Sequence, residues 1–235
     1  MPGDTIEVRI HRVIPAPWGW TYAGKGMGNA ALNAAAGLNP DELTLINWEI
    51  NADSTGRGTA HSSLGTSLPI RPFPGTIGLA PARAADETAC AWTPRDCGGN
   101  MDCRELIAGS VLYLPVMVPG AFLSAGDGHA AQGDGEISGT AIETPLSALD
   151  LQVILRKDLR ISSPRIYSGN AWITPAFAPT LDQAAYLAAT RMIALISELE
   201  EWSLDEAAAL ASSSVQLRIT QLVNPLVGVH AIWRH

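Results

Sequence analysis

The chain has 235 residues, 47% of them hydrophobic and 16% charged, a balance that fits a globular protein with a sizeable core. Fifteen basic residues against 23 acidic ones leave a formal charge of -8 with no basic cluster, which argues against nucleic acid or an anionic membrane as partner. No apolar run is long enough to cross a bilayer and no signal-peptide pattern opens the chain; three cysteines, Cys90, Cys97 and Cys103, cannot all pair, so a reduced cytoplasmic setting is expected.

Strands come first along the chain. Thr5 to Val13 alternates Ile6, Val8 and Ile10 with Glu7, Arg9 and His11, which predicts a strand with one wet face. Ala23 to Asn39, rich in Gly, Ala and Asn, reads as a long loop before a second strand from Glu42 to Ile50. Ser67 to Ala82 is extended, but its prolines keep it from being a central strand throughout. "SVLYLPVMV", "GEISGTAIETPL" and "DLQVILRKDL" read as further strands. Helices come late: Thr180 and Gln183 fit a capping box, and Leu181, Ala185, Ala188, Met192, Leu195 and Leu199 recur at helical spacing over about 181–200. Ser203 and Glu206 cap a second helix, Leu204 to about Leu210, and strands at Val215 to Val223 and Val227 to Trp233 close the chain. The expected fold is mostly β, a sandwich-like or barrel-like core over 1–160 with an α+β portion over 161–235 that contains a helical hairpin; the two form separate domains or one. The lack of βαβ alternation argues against a doubly wound parallel sheet.

No Gly-x-Ser-x-Gly elbow, P-loop, dinucleotide fingerprint or His-Glu-x-x-His pattern is present. Two polar clusters instead flank the apolar stretch that contains "LYLPVMV": "CGGNMDC" (Cys97 to Cys103) and "GDGHAAQGDGE" (Gly126 to Glu136). Asp127 and His129 are two apart, as are Asp134 and Glu136, and in extended chain such pairs face the same side. Carboxylates and an imidazole converging there suit a divalent metal, and Glu136 is placed to take a proton from a metal-activated water. The plainer alternative is that Gly-Asp-Gly, which occurs twice, merely makes two turns.

"RPFPGTIGLAP", "GGNMDCREL", "LYLPVMVPGAFLSAGDGHAAQGDGEISGTAIE" and "LRITQLVNPLVGVHA" together resemble the acetamidase/formamidase family. The resemblance implies a mostly β fold and hydrolysis of a small neutral amide to a carboxylate and ammonia. It lays the family's polar signature on Asn100, Asp102, Asp127, His129, Asp134, Glu136 and Glu143. Ligand chemistry and resemblance together imply a divalent metal ion, zinc ahead of calcium; Asp102, Asp127 and His129 are the expected ligands and Glu136, Asp134, Asn100 and Glu143 the expected catalytic residues, a division that the family pattern does not itself settle. Two departures from the family pattern stand out: the segment that members usually carry ahead of the motif seen here as "PGDTIEV" is missing, so the chain is expected to be a shortened relative or a fragment, and Gln216 stands where relatives tend to have an acidic residue.

Three hypotheses follow. One is an amidase, expected as a homodimer or higher oligomer because a β-protein with exposed edges buries them in a partner. Another is a catalytically silent small-ligand-binding protein that kept the family fold but lost part of the site with its N-terminal segment. The third is a hydrolase that uses Cys103 as nucleophile.

Overall fold

The structure, a computed structural model, describes residues 1–82 and 89–234. In chain order its elements are β1 (Thr5–Pro15), β2 (Trp18–Gly24), α1 (Ala30–Ala35), β3 (Leu43–Ala52), β4 (Gly58–Ser62), β5 (Ser67–Ile70), β6 (Phe73–Gly78) and β7 (Gly98–Asn100). There follow β8 (Val111–Pro115), β9 (Ser124–His129), β10 (Leu146–Arg156), β11 (Arg165–Ser168), β12 (Ala171–Ala178), α2 (Leu181–Glu200), α3 (Leu204–Ser214), β13 (Val215–Gln221) and β14 (Val227–Arg234). They make three antiparallel sheets: β10-β1-β8-β11-β12-β14-β13, β2-β3-β4-β5 and β7-β6-β9. The fold is mostly β with a helix pair near the C-terminus, as expected, and the largest sheet takes strands from both sides of residue 160.

The alternation along β1 sends Ile6, Val8 and Ile10 into a core shared with Leu112, Leu114, Ile166 and Ile173 of neighbouring strands. Its opposite face is not uniformly wet. Glu7 is 2% exposed and is held by Arg9 and Arg156, each at 2.7 Å, so ion pairing lets a carboxylate sit between two flanking strands.

Three sequence expectations need correction. The stretch Ala23 to Asn39 contains α1, because the Asn29 side chain accepts from Ala31 N and Leu32 N and caps an alanine-rich turn. "GEISGTAIETPL" forms no strand beyond its last residue and has only isolated bridges, since Gly135, Glu136 and Gly139 all take positive φ and keep turning the chain. Helix α2 has the expected bounds, but its buried face is Ala184, Ala188, Met192, Leu195 and Ile196; Leu199 is exposed. That face packs on Ala176, Ala178, Val229 and Ala231 of β12 and β14. Small residues on both sides bring the helix close enough for Thr174 Oγ1 to donate to Ala188 O at 2.9 Å. At its start Thr180 accepts from Gln183 N, whereas Ser203 and Glu206 complete the full box on α3.

Candidate active site

The two polar clusters meet, though not by way of the apolar strand between them. β8 lies in the large sheet, while β7 and β9 both pair with β6, one on each side. β6 therefore carries the junction. Phe73 opposes His129, Thr76 opposes both Asn100 and Gly126, and the Gly75 backbone runs between the clusters. A Cβ at Gly75 would stand 2.8 Å from Asp127 Oδ2, 2.8 Å from His129 Cε1 and 2.9 Å from Asp102 Oδ1. Glycine is required because three site side chains converge on that backbone.

Asp102, His129 and Glu136 are buried and offer ligand atoms within 4.8 Å of one another; Asp127, His129 and Glu143 form a second such group around the same imidazole. His129 Nε2 lies 3.5 Å from Asp127 Oδ1 and 3.3 Å from Glu143 Oε2. Its Nδ1 is 2.8 Å from Gln132 Oε1. The Gln132 amide has a fixed sense, because its Nε2 donates to Asp102 O at 2.8 Å and Thr220 O at 3.3 Å. The oxygen must then accept from Nδ1–H, which leaves Nε2 of the neutral ring with a free lone pair aimed at the carboxylates.

Asp102 shows the same division of labour. Its Oδ2 accepts from Asn100 Nδ2 at 3.2 Å and Asn224 Nδ2 at 2.5 Å, while its Oδ1 is buried without a partner. Glu136 Oε2 is likewise buried and unpartnered. Two orphaned carboxylate oxygens beside one imidazole are costly unless a cation or protons reach them. They fit a divalent ion held by Asp102, His129 and Glu136, with oxygen and nitrogen donors of the kind zinc takes.

Electrostatics agree. Burial, reinforced by neighbouring carboxylates, holds the Asp102 and Glu136 carboxyls above their ordinary range. Burial acts to lower His129, but hydrogen bonds and charge from Asp127 and Glu143 outweigh it and raise the imidazole well above its usual value. For Asp127 burial is outweighed by His129, and its carboxyl lies below the usual range. The cluster thus gathers positive charge in whatever form is offered. Three of its members, Asp102, Asp127 and Glu136, adopt left-handed backbone at φ 50, 58 and 48. Strain of this kind in non-glycine residues concentrates where side-chain aim matters more than local stability.

The site opens into a cavity of about 460 Å³ whose walls include six of the seven sequence candidates: Asn100, Asp102, Asp127, His129, Glu136 and Glu143. Asp134 is the exception. The turn at Gly135, φ 88, breaks the extended spacing with Glu136, and Asp134 pairs instead with Arg218 at 2.6 Å and Arg104 at 3.5 Å. Cys103 is fully buried in the core, and burial pushes its thiol up to about 12, so it is no nucleophile at neutral pH. Gln216 accepts from Arg234 and lies outside the cavity wall.

Gly75, Gln132 and Asn224 escaped the sequence reading, as did the aromatic wall of Trp20 and Tyr22. Gly75 had a local signal, a glycine within an extended apolar run. Asn224 had none: it sits in the turn after β13, shaped by buried Gln221, whose Oε1 accepts from Val223 N and Asn224 N and whose Nε2 donates to Leu226 O.

Fold and site together define a β-rich protein with a buried carboxylate–imidazole centre able to hold a cation. Comparison with known proteins narrows this. A model of the acetamidase/formamidase family matches residues 82–225, more than half of the sequence. The acetamidase of Mycolicibacterium smegmatis is 48% identical over 110 residues, 47% of this chain and 23% of that protein. The formamidase of Methylophilus methylotrophus is 46% identical over 81 residues, 34% of this chain and 20% of that one. The solved acetamidase of Bacillus halodurans superposes with a TM-score of 0.87 at 32% identity, covering 99% of this chain and 74% of the other. The chain belongs to the acetamidase/formamidase family. Its matched stretches span about a fifth of the length of these curated relatives.

Proposed function

We propose that the protein is a metal-dependent amide hydrolase that converts a neutral primary amide and water to a carboxylate and ammonia. The observation that carries this is the pair of buried, partnerless oxygens, Asp102 Oδ1 and Glu136 Oε2, at the base of a cavity beside His129. A divalent cation held by Asp102, His129 and Glu136, which we infer to be zinc, would supply Lewis-acid polarisation of the amide carbonyl and of water.

The remaining steps fall to the chain itself. Asn100 and Asn224 fix one Asp102 oxygen so that the other faces the centre. Gln132 fixes the tautomer of His129. Asp127, whose side chain is 35% exposed and reaches His129 and Thr76, stands on the open side, where an attacking water meets it. It accepts the proton as the oxygen adds to the carbonyl carbon, and returns it to the nitrogen as the carbon–nitrogen bond breaks. Glu143 Oε1 is held by Ala141 N, which leaves Oε2 toward His129 for the second proton position.

The test is ammonia release from primary amides by metal-stripped and zinc-reloaded protein, with metal content measured in parallel. Asp127→Asn is expected to keep the cation and lose turnover by roughly 10²–10⁴-fold, the span of a lost acid–base group. Glu136→Gln is expected to lose the cation and the turnover together. Hydrolysis that persists after complete metal removal would overturn the metal assignment. Amide binding without any hydrolysis would make the protein a ligand-binding member of the fold.

A further inference from the structure

Trp20 and Tyr22 are two apart on β2 and share one of its faces. Thr21 between them turns the other way and accepts from Trp48 Nε1 at 3.0 Å. The two rings stack, with centroids 5.2 Å apart and planes 15° from parallel, and both line the site cavity while only half-buried. Backbone bonds lock this slab to the reactive centre. Trp20 N donates to Glu143 O at 3.0 Å, Glu143 N donates to Trp20 O at 2.8 Å, and Tyr22 N donates to Thr140 Oγ1 at 3.2 Å. Since Glu143 Oε2 is 3.3 Å from His129 Nε2, the aromatic surface begins one residue from the metal-capable cluster.

Met27, Trp92 and Val223 extend the apolar lining, and Trp92 is 65% exposed. Among the described residues no Lys or Arg lines the cavity. The wall therefore offers aromatic and apolar surface and no counter-charge for an acidic substituent. A volume of about 460 Å³ falls within the roughly 300–1,000 Å³ of drug-sized ligand sites, far more than formamide or acetamide fills. A very small amide would leave the slab in contact with water and gain nothing from it.

We propose, on the amidase reading above, that the substrates are primary amides whose acyl group ends in an uncharged aromatic ring, stacked on the Trp20–Tyr22 slab while the amide lies at the His129 cluster. Hydrolysis adds water across the carbon–nitrogen bond and yields an aryl-bearing carboxylate and ammonia, with no other reactant needed. The slab acts on substrate choice and not on the bond-breaking step.

Two measurements on the zinc-loaded protein test this. The first is kcat/KM for phenylacetamide against acetamide. The second is equilibrium binding of phenylacetone, a ketone that copies phenylacetamide but cannot be hydrolysed, against acetone. Phenylacetamide is expected to be preferred at least tenfold. Trp20→Leu should shrink both preferences by roughly tenfold, the scale of a lost aromatic pair, and Trp20→Phe should restore most of them. Tyr186→Ala, on the exposed face of α2, should leave both unchanged. Acetamide turned over as well as phenylacetamide, or a preference untouched by Trp20→Leu, overturns the inference and leaves the amidase reading standing. Phenylacetone bound in a Trp20-dependent way without hydrolysis of either amide overturns the amidase reading and keeps the ligand class. If neither binding nor hydrolysis is seen, both fall.

Discussion

A single hydrogen-for-methyl exchange tests the site most sharply. Gly75→Ala would thrust a Cβ to within 2.9 Å of Asp102 Oδ1, Asp127 Oδ2 and His129 Cε1. Asp102 and His129 are buried and held by other bonds and cannot retreat, so the cation site should be lost while the sheets remain. Metal titration followed by calorimetry, with circular dichroism as the check on folding, gives the answer; a Gly75→Ala variant that still takes one equivalent of zinc with unchanged affinity would show that the backbone approach is not what shapes the site. Asp127 and His129 were legible from their spacing, although Asp127 is not extended but left-handed. Asp134 and Glu136 have the same spacing, and the intervening Gly135 sends one to the surface and the other inward. Once the backbone leaves the β region, spacing no longer decides whether a pair shares a face: Asp127 still reaches His129, whereas Asp134 and Glu136 part.

Helix α2 is the element where local pattern and tertiary packing part company. The stripe read from sequence and the buried face overlap at Ala188, Met192 and Leu195 but diverge at the ends, where Leu199 leaves the sheet and Ile196 stays on it. The helix is wide enough in apolar residues to offer more than one stripe, and the sheet it meets decides between them. Leu195, fully buried in either reading, is expected to cost about 2–5 kcal/mol when cut to alanine. Chemical denaturation measures this directly, and a cost below about 1 kcal/mol would mean that α2 is not seated on β12 and β14 as described. β7, only three residues long, shows the opposite limit. Nothing in its glycines announces a strand, because its place comes from pairing with β6 and not from its own propensity.

For the whole molecule, acid sensitivity has an identifiable source outside the reactive centre. His230 on β14 is fully buried, with Nδ1 2.8 Å from Thr220 Oγ1 and Nε2 without a partner. Burial first, then the charges of Arg218 and Arg104 against that of Asp134, carry its pKa from 6.5 down to about 4. Above pH 6.5 the ring is neutral folded or unfolded and contributes no pH dependence. As pH falls from 6.5 to 4 only the unfolded chain takes up the proton, so stability declines through that window by about 3 kcal/mol. His230→Gln should flatten the curve of unfolding free energy over this range; an unchanged slope would assign the acid transition to other groups. Asp102 is oriented by Asn224, 122 positions later, in a turn framed by the last two strands. On a ribosome the carboxylates and the imidazole emerge long before the amide that aims them. A nascent chain would therefore carry an acidic pocket without a set grip on any ion, and competence to capture a cation would arrive only once Asn224 has emerged and β14 has closed beside β12.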